Sequence, residues 1–185
     1  MTVDTVARSQ SPVAERSTGQ VKKHLDSSIP LIALSRDANE LLIHQFADKH
    51  GAYALVRGYD DSLGAFRKLA TGRTQNDALD DADLWVHRIR PAAALARIGR
   101  SSSCDVRITD RSVAALHATL DSSQPVPTVC DHESEQGTMV GERPIVPGAA
   151  VPVANGQTVQ VGAVEMVMVA APDLIRVLRR VFPST

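Results

Sequence analysis

The amino-acid sequence predicts a mainly β protein: an antiparallel β-sandwich with a C-terminal helix, preceded by a small N-terminal α/β segment. From residue 84 onward, short apolar runs alternate with clusters of Gly, Ser, Pro and Asn, a spacing typical of sandwiches. Residues 172–182 then show one apolar stripe at helical spacing. Residues 29–83 instead mix helical and strand-like patterns, which predicts a different local architecture.

The N-terminal part divides into a tail and an appendage. Residues 1–28 are rich in Ser, Thr, Gln and charge and have no apolar period, which predicts a flexible tail. Residues 29–83 are predicted to form a small helical or α/β appendage and a linker. The expected elements are a helix over residues 37–49, a strand over 52–56, a helix over 61–69 and a polar linker over 71–83.

The predicted sandwich spans residues 84–171. Its expected strands lie at residues 85–90, 94–98, 105–108, 117–120, 127–130, 138–140, 157–161 and 164–169. Asn155-Gly156 favours a two-residue β-hairpin, because both residues tolerate a positive φ. Residues 172–185 are predicted to hold the C-terminal helix, with Pro172 in its first turn and its apolar stripe packed on the sandwich.

Composition and charge exclude several classes of partner. The 185 residues carry a formal net charge of −1, so neither nucleic acid nor an anionic membrane is an expected partner. No apolar run reaches the length of about 18 residues that a membrane-spanning helix needs. The N-terminus also lacks the pattern of a secretory signal. We therefore expect a cytoplasmic protein.

Patterns typical of catalysis and of metal binding are missing from the sequence. The two cysteines, Cys104 and Cys130, are too few for a zinc site, and the six histidines are scattered. The sequence contains neither a Gly-x-Ser-x-Gly elbow nor the Gly-rich phosphate loops of nucleotide-binding proteins. It thus predicts no metal, no cofactor and no enzymatic activity.

Three short motifs between Ile98 and Gly141 carry most of the functional information. They are Gly99-Arg100-Ser101, Ser112-Val113-Ala114-Ala115-Leu116-His117 and Ser134-Glu135-Gln136-Gly137-Thr138. In this order and spacing they resemble the forkhead-associated (FHA) family. The resemblance implies an FHA-like β-sandwich whose loops at one end bind phosphothreonine in partner proteins.

The resemblance also implies roles for the first matched positions. Arg100 follows the turn at Gly99 and corresponds to an arginine that binds phosphate in many members. A guanidinium fork suits a phosphate dianion in geometry and charge. Ser101 is expected to bring a hydroxyl near the phosphate. His117 corresponds to a structural histidine whose ring braces the binding loops.

Two positions where the family provides polar groups carry alanine in this chain. Ala114 stands where a serine hydroxyl bonds the phosphate, and Ala115 stands where a polar residue often assists. Ser112 is a weak substitute, because it lies about 6–7 Å from residue 114 along an extended chain. Losing both donors would weaken a micromolar phosphate site by about two orders of magnitude or more.

The third motif keeps most of its turn. Ser134, Gly137 and Thr138 match the family pattern, and Gln136 replaces an asparagine that would bond the peptide backbone. The candidate phosphopeptide-binding residues are therefore Arg100, Ser101, Ser112, Gln136, Gly137 and Thr138, and the structural motif residues are Gly99, His117 and Ser134.

Three carboxylates, Asp131, Glu133 and Glu135, are expected to crowd the loop that faces the ligand. A phosphothreonine carries nearly two negative charges at pH 7. Each carboxylate within about 8 Å of it would cost about 0.5–1 kcal/mol of binding free energy. The acidic loop therefore argues against a phosphorylated ligand.

Two functional hypotheses remain open. In the first, the chain is a non-enzymatic interaction module that binds a Thr-phosphorylated protein in Ser/Thr-kinase signalling. In the second, it is a degenerate FHA scaffold that binds its protein partner independently of phosphate, as Ala114, Ala115, Gln136 and the acidic loop indicate. The identity of the partner and the oligomeric state are open in both.

Overall fold

The computed structural model describes residues 27–58, 60–73, 79, 84–89 and 94–184. Apart from Ser27 and Ser28, the predicted tail of residues 1–28 lies outside this described part, and so does most of the predicted linker over 71–83. The helices are α1 (Ser35–Glu40), α2 (Ile43–His50), α3 (Asp60–Ala70) and α4 (Ala171–Val181), with a 3-10 helix at Leu31–Leu34.

Two packed sheets confirm the predicted β-sandwich. The strands are β1 (Ile29–Pro30), β2 (Tyr53–Arg57), β3 (Trp85–Arg88), β4 (Leu95–Gly99), β5 (Val106–Arg107), β6 (Ala118–Asp121), β7 (Thr128–Asp131), β8 (Thr138–Val140), β9 (Arg143–Pro144), β10 (Ala150–Pro152), β11 (Thr158–Val161) and β12 (Val164–Ala170). Within the described residues they form a seven-stranded sheet, β1-β3-β2-β12-β11-β8-β9, and a five-stranded sheet, β10-β7-β6-β4-β5. Neighbouring strands are antiparallel, except for the parallel pair β4 and β5.

Strands β2 and β12 of the larger sheet are buried on both faces, which explains their continuous apolar runs. In β12, Met166 and Met168 face the core between the two sheets, whereas Val167 and Val169 face a second core beneath the helices. All four side chains are 0% exposed. This alternation follows from the two-residue period of a strand. Burial of about 25 cal/mol per Å² of apolar surface makes both cores major contributors to stability.

The strand of the predicted appendage lies inside the larger sheet. It was expected over residues 52–56, and β2 forms there and pairs with β12 on one side and β3 on the other. Leu55 contributes to the core between the sheets, and Ala54 and Val56 to the core beneath the helices. The predicted division at residue 84 therefore does not coincide with an edge of the sheet.

The single helix predicted over residues 37–49 is wrong, because the chain is extended at Leu41 and Leu42, whose ψ angles are 150° and 158°. The backbone N–H of Leu42 donates to the side-chain oxygen of Gln45 (3.0 Å). The guanidinium of Arg179 donates to the carbonyls of Ala38 (2.6 Å) and Leu41 (3.0 Å). These side-chain bonds satisfy groups that a continuous helix would pair within its own backbone.

The hairpin predicted at Asn155-Gly156 is also wrong. The two residues do form a turn, but it joins β10 in the smaller sheet to β11 in the larger one. Only Gly156 has a positive φ (79°), whereas the type I′ hairpin turn needs a positive φ at both central residues. The turn therefore serves as a connection between the two sheets.

The C-terminal helix packs on the sandwich as its apolar stripe predicts. Pro172 lies in its first turn, and Leu174, Ile175 and Leu178 are buried against α1, α2 and α3. The Arg176 guanidinium bonds the carbonyl of Ala70 at 2.7 Å, which ties α4 to the end of α3. Among the described residues, no helix is long and apolar enough to cross a membrane.

Candidate functional site

The three sequence motifs meet at one end of the sandwich, on a surface that we call the loop face, formed by residues 100–105, 109–116 and 132–137. Two backbone hydrogen bonds join the end of β4 to the loop of residues 109–116. The Arg100 N–H donates to Ala114 O (2.8 Å), and the Ser101 N–H donates to Ala115 O (3.0 Å). The third loop is joined through the N–H of His132 and the carbonyl of His117 (2.9 Å). Residues far apart in sequence are thus held together by backbone bonds.

Arg100 lies on this face with an exposed side chain. Its Nε donates to the carbonyl of Val113 at 3.2 Å, which orients the guanidinium and leaves its two terminal nitrogens for a ligand. Within the described part of the chain, Arg100 forms no salt bridge with Glu133, Glu135 or any other carboxylate. The arrangement suits bidentate binding of an anion.

The two candidate serines differ in what their hydroxyls already contact. Ser101 Oγ lies 2.9 Å from Ser103 Oγ and accepts from the Ser103 N–H (3.2 Å), in a half-exposed loop beside Arg100. Ser112 Oγ donates to Asp110 (2.7 Å) and accepts from the N–H of Ala163 (2.8 Å). The Ser112 hydroxyl therefore fastens two loops together, and its proton is directed away from a ligand.

The ring of His117 braces the loops, in the role that the resemblance implies. The side chain is fully buried. Its Nδ1 accepts from the N–H of Ala114 at 3.1 Å, so Nε2 carries the proton and donates to the carbonyl of Gly137 at 3.0 Å. One imidazole thereby connects the second and third motifs.

Asp131 does not face the ligand, which corrects the prediction of three carboxylates on the surface. Its side chain is 0% exposed and accepts from the Ser134 N–H (2.9 Å), the Ser134 hydroxyl (2.6 Å) and the Thr138 hydroxyl (2.5 Å). Burial alone would raise the pKa of Asp131, but the bonds from Ser134 and Thr138 outweigh it and hold the pKa below its ordinary value. A sequence signal existed, because alternation in β7 puts Asp131 on the same inward face as Val129.

The remaining residues of the third motif divide between surface and interior. Gln136 is exposed, and Gly137 is half-buried, with a φ of 71° and its carbonyl bonded by the N–H of Gly162 (3.1 Å). Thr138 is 1% exposed and lies in the Asp131 network, so its hydroxyl is not available to a peptide. Ser134, which was predicted to be structural, belongs to the same network.

Two features of the loop face weaken phosphate binding. Ala114 and Ala115 lie next to Arg100 and provide no side-chain donor, and Leu116 beside them is 42% exposed. Glu133 and Glu135 are exposed on the facing loop, and Glu133 has a positive φ of 53°. The surface thus combines one arginine, a small apolar patch and two carboxylates.

Elsewhere in the described part of the chain, no group of three or more His, Cys, Asp or Glu residues could hold a metal ion. A cleft of about 240 Å³ lies between α3 and β12, lined by Leu63, Gly64, Arg67, Glu165 and Val167. None of these five residues belongs to the loop face.

Comparison with known proteins gives a family match. The sequence pattern of the FHA domain matches residues 96–162, from β4 to the turn after β11. The chain shows no match to a curated protein.

Several solved structures resemble the fold at low identity. One comes from a structural and functional analysis of phosphothreonine-dependent FHA domain interactions (18% identity, TM-score 0.44, covering 63% of this chain and 95% of that chain). Another is the FHA domain of the CT664 protein from Chlamydia trachomatis (16%, TM-score 0.45, 63% and 96%). A third is Mycobacterium tuberculosis EmbR in complex with a low-affinity phosphopeptide (18%, TM-score 0.45, 76% and 28%).

The family match and the two-sheet architecture agree on the part of the chain that contains the three motifs. The match begins in β4, directly before Arg100, and includes His117 and the turn at Gly137. The FHA-domain pattern thus matches residues 96–162, the part of the chain that contains the three motifs.

Proposed function

We propose that this chain is a protein-interaction module whose loop face binds a partner through a phosphorylated threonine. The observation that carries the proposal is the state of Arg100, which is exposed, oriented by the Val113 carbonyl and free of any carboxylate among the described residues. A phosphothreonine presents a dianion that such a guanidinium can bind in a bidentate manner. The module would then act in Ser/Thr-kinase signalling, without catalysis of its own.

The inward position of Asp131 supports this proposal by reducing the negative charge that the ligand meets. Its carboxylate bonds Ser134 and Thr138 inside the domain, so only Glu133 and Glu135 of the three acidic residues are exposed. At about 0.5–1 kcal/mol for each nearby carboxylate, the two together cost about 1–2 kcal/mol, which two or more hydrogen bonds of roughly 1.5–3 kcal/mol from one guanidinium would outweigh.

A second candidate function is partner binding that does not depend on phosphate. The specific observation in its favour is the apolar patch of Ala114, Ala115 and Leu116 beside Arg100, where polar donors would be expected. Such a patch could bury an apolar side chain of an unphosphorylated partner. Glu133 and Glu135 would then repel a phosphorylated one.

Binding to an oriented phosphothreonine peptide library tests the proposal. We expect saturable binding by the natural chain and a loss of about 10- to 100-fold for Arg100→Ala, because a charge-assisted bond of roughly 1.5–3 kcal/mol is removed. Arg143→Ala is the matched control, since Arg143 is an exposed arginine in β9 outside the loop face. Equal affinity for phosphorylated and unphosphorylated peptides would reject phosphothreonine binding and favour the second candidate.

Restoring family residues should strengthen the same site. We expect Ala114→Ser combined with Glu133→Gly to raise phosphopeptide affinity by about tenfold, through one new hydroxyl donor and one less carboxylate. Glycine also suits the positive φ of residue 133. Isothermal titration with the selected peptide measures the change, and each single variant separates the two contributions. An unchanged affinity in the double variant would mean that residue 114 does not face the phosphate.

A further inference from the structure

A second arginine, Arg111, lies on the loop face in a turn, between Asp110 and Ser112, which hydrogen-bond to each other. The Val113 N–H donates to the Asp110 carbonyl at 3.2 Å and closes a turn over residues 110–113. The Asp110 carboxylate caps this turn by accepting from the Ser112 N–H (2.9 Å) and hydroxyl (2.7 Å). Arg111 occupies the second position of the turn and is exposed.

The same turn holds the guanidinium of Arg100. Arg100 Nε lies 3.2 Å from the carbonyl oxygen of Val113, the last residue of the turn. The first and last Cα atoms of a β-turn are less than about 7 Å apart, and Arg111 lies between them. An arginine side chain is long enough to span this separation, so Arg100 and Arg111 can reach one anion together.

Contacts from Gly162 and Ala163 hold the backbone next to Arg111. The Ala163 N–H donates to Ser112 Oγ at 2.8 Å, and Gly162 packs directly on Ser112. A Cβ added to Gly162, whose φ is +60°, would lie 2.5 Å from the Ser112 carbonyl oxygen. No larger residue fits there without displacing Ser112, so both packing and a hydrogen bond hold Ser112 in place. Binding at Arg111 would therefore require little ordering of the backbone.

Other arginines near this end of the sandwich are already engaged, unlike Arg111. Arg97 Nε lies 3.8 Å from the Asp105 carboxylate, and Arg107 Nε donates to the Arg100 carbonyl at 3.4 Å. Arg111 forms no hydrogen bond or salt bridge with any other described residue. Its neighbour Asp110 directs one carboxylate oxygen at Ser112, inside the turn. The guanidinium of Arg111 and the two terminal nitrogens of Arg100 are thus available to a ligand.

We propose that Arg111 is a second contact to the phosphate of the phosphothreonine ligand and replaces the donors that Ala114 and Ala115 lack. This inference rests on the proposed function. The ligand class is a phosphate monoester on a protein, because two guanidinium groups carried by or bonded to one turn would match a dianion in charge and in number of donors. The acidic side chains that oppose it across the loop face are Glu133 and Glu135.

Fluorescence anisotropy with a labelled phosphothreonine peptide from the library tests this role. We expect Arg111→Ala to weaken binding by about tenfold, which corresponds to about 1.4 kcal/mol. Arg111→Lys should retain part of the affinity, because it keeps the charge without the fork. The unphosphorylated peptide should bind both variants as it binds the natural chain. Binding of the phosphorylated peptide should also depend less steeply on salt after Arg111→Ala.

The controls separate this inference from the proposed function. Arg143→Ala should bind like the natural chain, and Arg111→Ala should unfold at the same temperature as the natural chain, because the position is exposed. If Arg111→Ala binds the phosphopeptide normally while Arg100→Ala does not, the role of Arg111 is wrong and the proposed function stands. If the natural chain binds the phosphorylated and unphosphorylated peptides equally well, both the role of Arg111 and the proposed phosphothreonine binding are wrong.

Discussion

Replacing Asp131 with alanine is expected to lower the free energy of unfolding by about 3–4 kcal/mol. The substitution leaves the Ser134 N–H and the hydroxyls of Ser134 and Thr138 without their acceptor in the interior. An unpaired buried donor costs about 1–3 kcal/mol, and breaking a buried charged network costs about 3–5 kcal/mol. Asp131→Asn keeps the shape and one acceptor oxygen, so we expect a smaller loss of about 2 kcal/mol. Urea unfolding of the purified chain measures both.

Glu135→Ala is the matched control for this experiment. It removes a carboxylate from the neighbouring loop, but the side chain is exposed and has no partner among the described residues. Its stability should stay within about 0.5 kcal/mol of the natural chain. If Asp131→Ala and Glu135→Ala are equally stable, Asp131 is not the acceptor that holds the turn at Ser134.

The pH dependence of stability should report the same carboxylate. Its pKa is lowered in the folded chain, so its ionised form stabilises the fold above the ordinary carboxyl value of 3.8. That contribution is lost as the pH falls below 3.8 through the lower folded value. We expect the difference in stability between the natural chain and Asp131→Asn to be constant from pH 7 to 5 and to shrink below 3.8. A difference that grows on acidification would contradict this sign.

Gly99→Ala is expected to destabilise the domain by about 3 kcal/mol and to abolish peptide binding at the loop face. An added Cβ would lie 2.4 Å from the Ala115 carbonyl oxygen and 3.0 Å from Cys104 Sγ. The clash is with backbone, so it can be relieved only by separating β4 from the second loop, where Ser101 donates to Ala115 O. Overpacking of this kind costs about 1–3 kcal/mol before any bond is lost. Thermal unfolding and peptide anisotropy measure the two effects.

The same substitution elsewhere should have the opposite effect. A Cβ added to Gly64, in the middle of α3, meets no atom within 4 Å. Gly64→Ala should therefore stabilise the chain by about 0.5–1 kcal/mol, because alanine favours a helix over glycine. A stable, binding-competent Gly99→Ala variant would show that the second loop can move away from β4 at little cost.

Much of the loop face could be predicted from local sequence. Gly99, Arg100 and His117 lie where their motif positions imply, because tight turns and short strands impose local backbone requirements that particular residues meet. Ser112 and Thr138 could not be assigned in this way, since a hydroxyl is a ligand or a structural bond according to what faces it. Their partners, Asp110, Ala163 and Asp131, come from other turns and strands.

A mainly β chain, the positions of most strands, the apolar face of the C-terminal helix and the resemblance to FHA domains could all be predicted from the sequence. These features depend on periods of two or 3.6 residues and on local turn chemistry. Three features could be seen only in three dimensions: β2 lies within the sandwich sheet, Asp131 points inward, and the Arg100 guanidinium bonds the turn that contains Arg111. Such facts depend on which distant strands pair and in which register, and pairing is set by the packing of the whole domain rather than by any one segment.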